Sequence, residues 1–257
     1  MIVAGCTTPG RFAREFSRSP QTVQIAVLTT QRLFYAIKNS SGNCPSALRE
    51  EADSCLLSKS VYLKHIEGKT FLTDYYNALS DELKSLGFNV LDENQMETLF
   101  SEKSSRRYII SIAQTELEEY TTSMFPEGDN QNDGQELIDH CALNTWFEVT
   151  ILDDTVQGMK VVYTNTEVAD SVQVHTQEAG ESGYFFVNYE LFKMTLPKVE
   201  NLARTTGKKD ANAIFDYLMN QYMRSKSKLK NAPNLHFDPR NRWVYRPDKA
   251  LYTEMSQ

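Results

Sequence analysis

The chain is poor in the residues and spacings that most chemistries need. Its four histidines, His65, His140, His175 and His236, stand apart from one another. His175 with Glu178, or His140 beside Cys141, offers two ligands where metal sites show denser clusters, so no metal is expected. No G-x-x-x-x-G-K-[ST], G-x-G-x-x-G or G-x-S-x-G stretch occurs, which removes the common phosphate cradles and the nucleophile elbow. No cofactor is expected, and no catalytic set can be named from motifs. No apolar run approaches the roughly 20 residues a membrane-spanning helix requires. The net charge of −7 argues against nucleic acid as the main partner, and neither an RNP-like nor a helix-turn-helix signature is present.

The charge that is present is unevenly placed. Residues 201–250 carry eleven Lys and Arg against four Asp and Glu, which makes that segment +7 and leaves −14 for the remainder. With 40% hydrophobic and 24% charged residues, the chain has enough apolar material for one full core.

Local structure is clearest over residues 71–91. Phe71, Leu72, Tyr75, Leu79, Leu83 and Leu86 recur three or four apart with polar residues between them, which predicts an amphipathic helix. Gly87 stands where a helix C-terminus needs positive φ, and Phe88, Val90 and Leu91 read as a short buried strand. Asp92 with Gln95 offers a cap for a second helix over 93–100. Before this unit, Val23 to Thr30 reads as an interior strand that residues 31–37 could extend. After it, residues 107–120 read as a strand that ends acidic and solvated, and 125–135 as a polar loop. Strands over 137–152, 159–168 and 183–196 complete an antiparallel meander. Cys141, Leu143, Phe147 and Val149 share one face of the first of these, with Asn144, Trp146 and Glu148 on the other. A helix over 199–224 closes the domain, with Gly207 expected to weaken its middle. The expected fold is α/β (α+β): a mixed sheet of about six strands, including the meander, packed by two or three helices. Leu79, Leu83, Phe147, Phe215 and Leu218 are the predicted core.

Three segments follow: an anchor site and polar tether over 1–20, a single domain over 21–230, and an extended arm over 231–257. In the arm, Phe237, Trp243 and Tyr245 lie among Arg240, Arg242 and Arg246, residue types enriched at interface hot spots. The arm either folds back over its own domain or binds a partner or a second copy. Glu116, Glu118 and Glu148 could meet by strand pairing as an acid–base set. Cys44 and Cys55 could close a loop worth about 2–3 kcal/mol in an oxidising compartment, or remain two free thiols.

Val3-Ala4-Gly5-Cys6 resembles the lipobox of bacterial lipoproteins, in which small residues precede a lipidated cysteine. Five residues precede Cys6, so a basic and apolar leader would lie upstream of Met1. The pattern YNALSDELKSLGFNVLD, residues 76–92, is similar to the amino-terminal domain of TolB and to modules in LpoB- and CsgG-type envelope lipoproteins. The resemblance covers the first half of the chain. It implies a periplasmic scaffold or binding module, held to a membrane (the outer one being expected) through Cys6, with envelope proteins as partners and no catalytic residues. The other readings are an envelope hydrolase using strand-end carboxylates and a cytosolic nucleic-acid-associated protein using the basic segment.

Overall fold

The first element, α1 (Thr8–Arg18), stands where Thr-Thr-Pro-Gly predicts a tether. Pro9 is tolerated because the first turn of a helix leaves its N–H groups unpaired. The helix is fixed by tertiary packing: Ala13 and Phe16 are buried, with Phe12 partly so. The computed structural model describes residues 8–38, 50–91, 93–101, 106–124, 137–152, 160–179, 184–227 and 232–255. Cys6, Cys44, Asp92 and the polar loop 125–135 lie outside the described residues.

Two short strands follow, β1 (Val23–Leu28) and β2 (Leu33–Ile37), then α2 (Glu50–Lys59) and α3 (Gly68–Ser85). Cys55 on α2 is disulfide-bonded. In α3 the predicted stripe Phe71, Leu72, Tyr75, Leu79 and Leu83 is buried, and Glu67 caps the helix by accepting from the N–H groups of Lys69 and Thr70 at 3.2 and 2.6 Å. Gly87 adopts φ 95° and turns the chain into β3 (Asn89–Leu91). Next come α4 (Met96–Ser101) and the long strand β4 (Arg106–Ser123).

β4 organises the sheet. On one side its first half pairs in parallel with β1, and its second half with β2. β2 is therefore a separate strand that resumes the direction of β1 after a break at residues 29–32. Tyr76 holds that break, its hydroxyl accepting from Thr30 N–H at 2.8 Å and donating to Thr30 C=O at 2.9 Å. At the same level β4 carries a bulge between Ile112 and Gln114. Its buried face changes phase there, from Tyr108, Ile110 and Ile112 to Thr115, Leu117 and Glu119. On the other side lie the antiparallel strands β5 (Leu137–Ile151) and β6 (Lys160–Ala169).

The expected fourth meander strand falls elsewhere. β7 (Ser171–Ala179) and β8 (Tyr184–Phe192) pair with each other as a separate ribbon. Asp170 marks its base: it accepts from the N–H groups of Asp139 and Met194 and from Lys193 Nζ, at 2.9, 2.6 and 3.0 Å.

A short helix α5 (Leu196–Glu200) leads into α6 (Leu202–Ser227), which packs with α3 over one face of the sheet. Gly207 is required there rather than tolerated. A Cβ at this position would fall on the carbonyl oxygen of Tyr75 and 2.9 Å from Leu79 N, so the two helix backbones meet at this point. Leu79, Leu83, Phe147, Phe215 and Leu218 are all buried. On the opposite face, a smaller cluster of Ala26, Leu91 and Leu99 lies under α4. The chain ends in a hairpin, β9 (His236–Asp238) and β10 (Trp243–Tyr245), and an edge strand β11 (Thr253–Met255) that pairs antiparallel with β6.

Candidate functional site

Two side chains one turn apart on α6 dock the carboxyl-terminal arm. Asp216 accepts the Phe237 N–H at 2.9 Å and pairs with His236 Nδ1 at 2.6 Å. Asn220 accepts the Leu235 N–H at 2.9 Å and donates to Leu235 C=O at 2.8 Å. Burial raises the Asp216 pKa against the opposing effect of His236, while the hydrogen bond to Asp216 raises that of His236.

The hairpin sorts the predicted partner residues by its two-residue period. Phe237 pairs with Val244 in the ladder and is 8% exposed, stacked on Phe215 with centroids 4.8 Å apart. It is a core residue, and its place among the partner contacts is corrected. Trp243 and Tyr245 alternate to the outside and are 72% and 48% exposed. Arg240, Arg242 and Arg246 are exposed beside them, with Arg242 at φ 54° closing the turn. Asp238 is occupied within that turn, accepting from the N–H of Arg240 at 2.9 Å and from the Asn241 amide at 2.7 Å.

Next to this hairpin is a surface that sequence reasoning missed. α1 packs against both α6 and β10. Phe16 meets Phe215 and Tyr222 with centroids 5.5 and 5.7 Å apart, and Glu15 accepts the Tyr222 hydroxyl. Arg11, Arg14 and Arg18 are left on the exposed side. Their three- and four-residue spacing opposite Phe12, Ala13 and Phe16 was the available signal; the neighbouring Pro9 and Gly10 obscured it.

The strand-end carboxylates divide. Glu116 and Glu118 share the sheet face away from α6, where the Asn144 amide lies 3.4 and 3.2 Å from them. Asn144 in turn accepts from Tyr163 Oη and Asn165 Nδ2, each at 2.7 Å. Glu118 also pairs with Lys38, whose pKa this hydrogen bond raises. Glu148 is four residues from Asn144 along β5, about 13 Å away, and does not join them. The acidic end of β4 is not solvated as expected, since Glu118 and Glu119 are 4% and 7% exposed. Glu119 faces the helices. It accepts from Ser60 Oγ and from the N–H groups of Val61, Tyr62 and Leu63 at 2.7–3.2 Å, so its burial is compensated.

A second buried acid lies between the helices and the sheet. Asp210 on α6 is fully buried and accepts from Tyr75 Oη at 2.8 Å and Thr164 Oγ1 at 2.6 Å. Burial pushes its pKa up to about 6 against the hydrogen bonds from Thr164 and Tyr75. Cys141 is a buried free thiol on the helix-facing side of β5, pushed up to about 12 by burial. His140 points the other way, with Nδ1 2.5 Å from Glu167 and Nε2 2.8 Å from Thr122. Among the described residues no group of three or more His, Cys, Asp or Glu is placed to hold a metal ion. A groove of about 440 Å³ between the start of α3 and α5–α6 is crossed by the Arg204–Asp74 ion pair at 3.1 Å.

No family model and no curated protein matches the chain. Among solved structures it is similar to a homolog of neuraminyllactose-binding hemagglutinin from Helicobacter pylori, at a TM-score of 0.34 and 12% identity over 80% of this chain and 93% of that one. A likeness at that TM-score carries no weight for fold or function.

Proposed function

We propose that the chain is a lipid-anchored periplasmic binding or scaffold module of a bacterial envelope. It is held through Cys6 and acts by binding other envelope proteins. The observation that carries this reading is Val3-Ala4-Gly5-Cys6 standing directly before a docked helix. α1 begins at Thr8, so the two intervening peptide links reach at most about 7 Å. A lipid on Cys6 would therefore hold one particular face of the domain to the membrane. The β4 carboxylates support a binding rather than a hydrolytic role, because Glu118 is engaged by Lys38 and Asn144 and Glu119 by the backbone of residues 61–63.

The test is fractionation and fatty-acid labelling in cells, with the native upstream sequence in place. The wild-type protein should sediment with membranes and take up labelled palmitate, and Cys6→Ser should lose both. A Cys6→Ser protein that keeps both behaviours removes the anchor and, with it, the reading.

A further inference from the structure

We infer that α1 and the β9–β10 hairpin together form a contact surface for anionic phospholipid headgroups, so that the domain lies flat against the membrane holding its anchor. The inference rests on the anchor reading for its biological setting. Its chemistry stands on the surface itself.

Three observations carry it. The first is charge. The solvent side of α1 carries Arg11, Arg14 and Arg18, and the adjoining segment 236–250 carries Arg240, Arg242, Arg246 and Lys249. Against these seven cations the same two segments hold three acids, Glu15, Asp238 and Asp248, on a chain whose net charge is −7. Glu15 is engaged by Tyr222, and Asp238 by its own turn. The second is the aromatic pair. Trp243 is 72% exposed and Tyr245 48%, while Phe237, paired with the Val244 that stands between them, is buried, so the hairpin directs its amphipathic rings outward. Trp and Tyr prefer the depth at which a headgroup layer meets the acyl chains. The third is position. The surface includes the helix that starts two residues after Cys6 and the strand packed against that helix.

A basic patch beside a lipid anchor adds a second, electrostatic attachment that fixes the orientation of the domain on the membrane. Each Arg near an anionic leaflet adds roughly a fivefold factor in binding, and an exposed Trp adds to it. A single-stranded nucleic acid is the competing occupant for Arg interleaved with aromatics. It is disfavoured by the acidic remainder of the chain and makes no use of the closeness to Cys6.

The experiment uses the full chain as Cys6→Ser, so that no lipid contributes, and vesicles of phosphatidylcholine with or without phosphatidylglycerol. The unlipidated protein should cosediment with the phosphatidylglycerol vesicles, bind pure phosphatidylcholine at least tenfold more weakly, and be released by about 1 M salt. Arg240→Gln/Arg242→Gln/Arg246→Gln should weaken binding by about a hundredfold. Arg11→Gln/Arg14→Gln/Arg18→Gln should do the same from the other element. In a Trp146→Phe background, the Trp243 emission should shift to the blue on binding and be quenched by brominated lipid. Circular dichroism of each variant reports its folding. Equal binding to both vesicle types, unchanged binding by both folded triple variants, or an unshifted Trp243 overturns the inference. So does capture of a single-stranded oligonucleotide in preference to vesicles. Loss of palmitate labelling from the wild-type protein with vesicle binding intact would instead count against the anchor alone.

Discussion

Replacing Asp210 by Asn should change the stability of the protein by an amount that depends on pH. Asp210 is fully buried between α6 and the sheet, and burial raises its pKa from 3.8 to about 6. The neutral carboxyl is thus the form the fold prefers. A folded pKa above the unfolded one means that its contribution is fully present below about pH 4 and is lost as pH rises through about 6. The shift of about two units corresponds to at most about 3 kcal/mol, at roughly 1.4 kcal/mol per unit. Asn has nearly the same shape, keeps one acceptor for Tyr75 or Thr164, and has no proton to lose. Measured by urea denaturation, wild type minus Asp210→Asn should therefore fall by about 2–3 kcal/mol between about pH 4 and about pH 8. The absolute value at either pH depends on how the Thr164 and Tyr75 hydroxyls re-pair, but the difference between the two does not. A difference flat across that range would show that Asp210 titrates as an ordinary solvated acid, and the account of a buried polar core would fail.

Two further perturbations test the helix contact and the arm. Gly207→Ala should cost about 1–3 kcal/mol, because a methyl group would meet the backbone of α3 rather than a movable side chain; a variant as stable as wild type would refute that close approach. Cutting the chain after Lys230 should lower the Tm clearly without changing the association state, since Phe237 and Tyr252 leave the core and Asp216 and Asn220 lose their partners. Asp216→Ala in the full chain should reproduce part of the loss, and calorimetry with sedimentation analysis would expose a dissociating oligomer instead.

The helix of residues 68–85 was legible because it buries one face at a period of 3.6, and the strand of residues 137–151 because Cys141, Leu143, Phe147 and Val149 alternate with Asn144, Trp146 and Glu148. Docking of the arm was legible as one of two readings: three aromatics near a chain end need cover, although which of them would be covered depended on ladder pairing. α1 was hidden by Pro9 and Gly10, which mark a turn in isolation but are harmless in a first helical turn. The burial of Glu119 could not be read locally, because its donors lie near residue 61, almost sixty positions away. The role of Gly207 was equally invisible, since only the opposing α3 backbone explains the missing side chain. The bulge in β4 has no residue signature at all: Ala113 is an ordinary strand residue until β5 is laid beside it.

That bulge works as a frameshift within a single strand. Before Ala113 the even-numbered side chains of β4 face the helices, and after it the odd-numbered ones do. Position 113 is therefore open to substitution but closed to deletion. Removing one residue there would return Glu118 to the helix face and rotate Glu119 away from the Val61, Tyr62 and Leu63 N–H groups. The adjoining connection between β1 and β2 shares the constraint, since it spans five steps from Leu28 to Leu33 where β4 spans four from Ser111 to Thr115. A one-residue change at the bulge would thus make the polar network on one face and the core on the other exchange places.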